Sequence, residues 1–62
     1  MKTSELVKLL RKTGKCRLVE NGRRHDKWHS DITGKDFMIP RHPSKEIKTG
    51  TVERILKDAG IK

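Results

Sequence analysis

At the centre of this chain an Asn21-Gly22 pair separates two short alternating stretches, and no other feature restricts the fold so strongly. Asn-Gly between such stretches is the strongest short-range signal for a β-hairpin, because both residues tolerate the positive φ of tight turns. Upstream, Cys16 and Leu18 alternate with Lys15 and Arg17; downstream runs Arg23-Arg24-His25-Asp26-Lys27-Trp28-His29. A strict two-residue loop pairs Leu18 with His25 and sends Trp28 to the opposite face. A three-residue loop, Glu20-Asn21-Gly22 with Gly22 left-handed, pairs Arg17 with His25 and gathers Cys16, Leu18 and Trp28 on one side. We prefer the second register, since a thin sheet needs its only tryptophan under cover. It leaves Arg17, His25, Lys27 and His29 on the open face, with Arg24 and Asp26 at the edge of the covered one.

The flanking segments complete an α+β pattern. From Thr3 to Thr13, Leu6, Val7, Leu9 and Leu10 recur at spacings of three and four while Lys8, Arg11 and Lys12 fall mostly elsewhere, which predicts an amphipathic helix. Thr3 or Ser4 is the expected cap, Glu5 suits the positive end of the helix dipole, Arg11 and Lys12 the negative end, and Gly14 is a natural stop. Ser30 to Lys35, with Asp31 and Gly34, predicts a polar turn into a third strand at Asp36 to Pro40, where Phe37 and Ile39 share a face. Pro40 and Pro43 cannot donate ladder hydrogen bonds, so this strand should end there and lie at an edge. Arg41 to Lys48 reads as a connecting loop. A second amphipathic helix begins at about Gly50, capped by Thr49, with Val52, Ile55, Leu56 and Ala59 on one stripe and Gly60 at its end. The expected architecture is α-β-β-β-α, a three-stranded antiparallel sheet with both helices on one face, in a single domain spanning residues 1–62 without repeat, linker or low-complexity tract.

Composition limits what such a domain can do. With 31% hydrophobic against 39% charged residues, the core is thin, and a chain this short buries only about 60% of its unfolded surface. A large internal active-site cavity is therefore not expected, and any chemistry should happen on the surface. Lys and Arg number 16 against 8 acidic residues, a formal charge of +8, so the field around the domain should recruit polyanions, nucleic acid first among them. Solubility, an anionic membrane surface or an acidic protein are the blander explanations. One cysteine, Cys16, excludes an internal disulfide and a cysteine-built metal site, so a reducing cytoplasm is the expected compartment; Cys16 reads as a small apolar residue on a strand. No apolar run approaches the roughly 20 residues of a membrane span. Trp28 and Phe37 are the only aromatics, and both are expected in the core rather than stacked on bases.

Cutting RNA needs a base for the 2′-hydroxyl proton and cations to stabilise charge on the phosphate. His25 suits the first task in type, and Arg17, Arg23, Arg24 and Lys27 around the hairpin suit the second. Basic patches more often only bind, so a module that holds RNA or DNA without cutting it is the alternative. His29 lies roughly 13 Å further along the strand and reads as a contact or satisfied surface histidine; His42, between Arg41 and Pro43, reads as structural. The spacing of the three histidines matches no zinc site, and no metal or cofactor is assigned.

Nearly the whole sequence resembles the HicA family of toxins from type II toxin-antitoxin modules. The likeness is carried by the opening helix with Leu6, Leu9 and Leu10; the Asn21-Gly22 turn followed by His25; Ile39-Pro40-Arg41-His42-Pro43 running on to Glu46-Ile47-Lys48; Gly50-Thr51; and Ile55-Leu56 through Ala59-Gly60-Ile61. The resemblance implies a compact fold like that of double-stranded-RNA-binding domains, and a ribosome-independent endoribonuclease that cuts messenger RNA and arrests translation with one histidine, here His25; with no metal assigned, such a nuclease is expected to be metal-independent. Arg17, Arg23, Arg24, Lys27, Arg41, Lys45 and Lys48 are the candidate RNA contacts. It further implies a HicB-type antitoxin that covers the histidine, and oligomers only through that complex. Many relatives carry a small polar residue after the turn glycine, where this chain has Arg23. The Lys-Lys-x-Ala-Lys signature of true double-stranded-RNA-binding domains is missing.

Overall fold

The computed structural model describes residues 1–61. Helix α1 spans Thr3–Thr13, strands β1, β2 and β3 span Cys16–Asn21, His25–Ser30 and Asp36–Pro40, and helix α2 spans Thr49–Ala59. The sheet is antiparallel in the order β1-β2-β3, so the strand that begins with His25 is central and the strand that ends in Pro40 is an edge, where proline belongs. Both helices cover one face. Leu6 and Leu10 of α1 and Val52, Ile55 and Ala59 of α2 are buried with Cys16, Trp28, Phe37 and Ile39 of the sheet, an alternation of inward residues that a half-covered sheet requires.

The hairpin adopts neither register read from the sequence. Arg17 pairs with His29, Leu18 with Trp28, and Asn21 with Asp26, with a bulge between Leu18 and Glu20. The turn runs through Gly22, Arg23 and Arg24, and Gly22 does not take a positive φ. Relative to the preferred pairing of Arg17 with His25, the strand has slipped by four residues. An even slip leaves every side chain on its original face, which is why Cys16, Leu18 and Trp28 do share the covered side. Asp26 is half-buried there, whereas Arg24 is exposed in the turn.

Helix starts also differ from expectation. Lys2, not Thr3 or Ser4, is the N-cap of α1, and Lys48, not Thr49, is that of α2. In α1 the free N–H groups of the first turn find acceptors outside the helix: the Thr3 amide and hydroxyl both donate to the Lys45 carbonyl (2.9 and 3.1 Å), and the Ser4 amide donates to that of Pro43 (3.0 Å). The segment from Arg41 to Lys48 is thereby stitched to α1 and adds Ile47 to the core. Both helices end as predicted, on Gly14 and Gly60 in the left-handed region.

Candidate active site at the hairpin end of the sheet

His25 opens β2 opposite Pro40 and is exposed. With Lys45, Glu46, Lys48 and Thr51 it borders a surface depression of about 270 Å³, walled by Pro40 and Ile47. Two lysines thus stand beside the imidazole. The same depression receives the start of α2, which has no acidic residue in its first turn and no side-chain cap, so Glu46 is the one carboxylate among the described residues that borders the positive end of that helix dipole here. Glu46 is engaged by the amino group of Met1. A surface hollow with one imidazole, two ammonium groups, a helix N-terminus and one carboxylate that is paired with the Met1 amino group can hold an oxyanion and exchange a proton with it.

Three contacts place the histidine. A Cβ added to Gly22 would lie 2.2 Å from the His25 carbonyl oxygen, so the turn can fold back against His25 only because residue 22 has no side chain. Arg41 clamps the turn from the other side: its Nη1 donates to the Gly22 carbonyl at 2.7 Å and its amide to the Arg24 carbonyl at 3.0 Å. The tether of Lys45 to Thr3 holds the lysine-bearing loop in place across from the hairpin.

The other expected residues are scattered. Lys45 and Lys48 join His25, whereas Arg17 lies across from His29, roughly 13 Å along the sheet from His25, with its guanidinium 3.9 Å from Asp31. His29 is a satisfied surface histidine, its Nδ1 2.6 Å from Asp36 Oδ1. Lys27 is half-buried on the open face between Glu20 and Met38. Arg23 and Arg24 are exposed in the turn beside His25. Arg41 spends part of its guanidinium on the hairpin. The carbonyl of His42 accepts the Lys45 amide at 3.1 Å, within the loop. Sequence reasoning missed Thr51 and the contact of Gly22 with His25; the Gly-x-x-His spacing carried the only hint of the latter. Trp28 and Phe37 are core residues, 3% and 5% exposed. Among the described residues no three or more His, Cys, Asp or Glu side chains converge to hold a metal ion, and no helix is long and apolar enough to cross a membrane.

Fold and site together define a small basic α+β protein whose candidate histidine, His25, stands on the surface rather than in an enclosed cavity. The chain belongs to the HicA toxin family of bacterial toxin-antitoxin systems, whose family model matches residues 3–61. Comparison with curated proteins and with solved structures gave no match.

Proposed function

We propose that this toxin is an endoribonuclease that cuts messenger RNA with His25 as its proton-transfer group. The observation that carries the reading is the grouping of an exposed His25 with Lys45, Lys48 and the start of α2 in one depression. In the reaction the imidazole takes the proton of a ribose 2′-hydroxyl as the 2′-oxygen attacks the adjacent phosphorus. The bond to the 5′-oxygen of the next nucleotide breaks, and the imidazolium returns the proton to that oxygen. The products are a 2′,3′-cyclic phosphate and a 5′-hydroxyl end. Lys45, Lys48 and the first amides of α2 stabilise the charge that builds on the phosphoryl oxygens, while Arg23 and Arg24 hold the flanking backbone, with Lys27, Arg17 and the free part of Arg41 further out. No metal takes part.

The exposed site is open to a HicB-type antitoxin, which would neutralise the toxin by covering His25, in the cytoplasm where messenger RNA is found. The decisive test is cleavage of a messenger RNA by wild-type protein and His25→Ala, in excess chelator. Wild type is expected to cut and leave cyclic-phosphate ends, and the variant to be about 10²–10⁴-fold slower with unchanged circular dichroism. Undiminished cutting by folded His25→Ala removes the imidazole from the reaction. If wild-type protein binds RNA with steep salt dependence but never shortens it, the protein is a binding module.

A further inference from the structure

On the α1 side of Pro40, back to back with the His25 depression, lies a second groove of about 300 Å³. Its apolar walls come from Val7, Leu18, Trp28 and Ile39; Thr3 and Ser4 border it, and its charged groups are Asp26, Arg41 and Arg11, whose guanidinium lies 5.3 Å from the Trp28 ring centroid. Asp26 is the anomaly: its side chain is only 22% exposed, and Oδ1 is buried without a hydrogen-bond partner. Arg41 Nε is 3.5 Å from that oxygen, close enough for charge attraction but outside hydrogen-bond geometry. A mostly buried carboxylate left in this state is costly unless donors are brought to it.

Resting on the reading that RNA is the ligand, we infer that this groove binds a guanine base of the RNA, with Asp26 accepting from its N1–H and N2–H₂ and Arg41 donating to O6. The chemistry selects the base. A carboxylate only accepts, and guanine is the one RNA base whose Watson–Crick edge sets two donors side by side with an acceptor next to them, in the order that an aspartate and an arginine in contact present their own groups. Uracil offers one donor between two acceptors, and adenine and cytosine one amino group beside an acceptor. A cationic side chain of a protein would meet the Arg41 guanidinium at the same carboxylate, and the overall charge of +8 favours an RNA occupant. Leu18, 39% exposed, supplies an apolar wall for a splayed-out base, the usual way single-stranded RNA is read. His25 and Asp26 are consecutive on β2 and therefore point to opposite faces, and Pro40 borders both hollows. A strand passing over Pro40 would put one nucleotide's base in the groove and the neighbouring ribose and phosphate at His25.

Trp28 is the only tryptophan and lines the groove, so its fluorescence reports occupancy without any cleavage. Titration with guanosine, inosine, adenosine, cytidine and uridine 3′-monophosphates is expected to give binding at least about tenfold tighter for guanosine than for the last three, the discrimination of one good bidentate contact. Inosine, which lacks the N2 amino group, should fall between, and Asp26→Asn should abolish the preference. Equal responses to all five nucleotides overturn the inference. So does a response to arginine amide with none to guanosine monophosphate, which assigns the groove to a protein side chain. Should Asp26→Asn fail to fold, the wild-type series with inosine still decides. Guanosine preference in a protein that cuts no RNA upholds the groove and sinks the nuclease; cutting with no preference in the titration does the reverse.

Discussion

Gly22 has no methyl group because the His25 carbonyl oxygen occupies the space where one would go, 2.2 Å from the Cβ position. Gly22→Ala must push the turn away from the strand it feeds, a displacement of backbone rather than of a pliable side chain. The expected loss is about 1–3 kcal/mol of stability, typical of overpacking, together with slower RNA cleavage, because His25 shifts relative to Lys45 and Lys48. Thermal melting and cleavage rates measured side by side test this, and a variant that matches wild type in both would show the turn to be soft. The identity of the histidine could be suspected from the sequence, since it follows the Asn-Gly turn in a basic run. Its dependence on Gly22 could not, since a close approach between residues three apart is a property of one particular turn path.

Strand β2 carries the proposed catalytic histidine at one end and a structural serine at the other. Ser30, fully buried, donates its hydroxyl to the Ala59 carbonyl at 2.6 Å and accepts the amides of Ile32 and Thr33 at 3.2 and 3.3 Å. It joins the end of α2 to the turn before β3, and Thr33 adds a second link to the Asp58 carbonyl at 2.6 Å. Ser30→Ala strands these groups and should lower stability by about 1–3 kcal/mol, read from a denaturation midpoint. Cleavage by the protein that remains folded should not change, because the site lies at the far end of the strand; a loss of rate at full folding would tie the two ends together. Element types and order were legible from periodicity, and helix ends from Gly14 and Gly60. The caps were not: Thr3 looks like a cap in sequence, but its hydroxyl donates to Lys45, and only the path of the loop supplies that acceptor.

With a charge of +8 on 62 residues, the proposed binding of RNA should depend on ionic strength across the whole molecule. Each phosphate contact on single-stranded RNA contributes about 0.7 to the slope of log affinity against log salt. Replacing Lys45 and Lys48 together by Gln should therefore flatten the slope by about 1.4 and slow cutting. The double replacement Lys35→Gln, Lys57→Gln, in the turn before β3 and the last turn of α2, should leave the cutting rate nearly unchanged at low salt; an equal loss from both pairs would mean diffuse attraction with no organised site. The sequence by itself determined the α-β-β-β-α order, the covered face of the sheet and the basic surface, because side-chain periodicity and net charge are local or additive properties. Tertiary structure alone decided that the hairpin slips by four residues, that Lys45 and Lys48 rather than Arg17 accompany His25, and that Asp26 is left without a hydrogen bond to Oδ1. Each of these depends on the bulge, on the return of the 41–48 loop against α1 and on the Arg41 clamp, contacts between segments distant in the chain that no local pattern encodes.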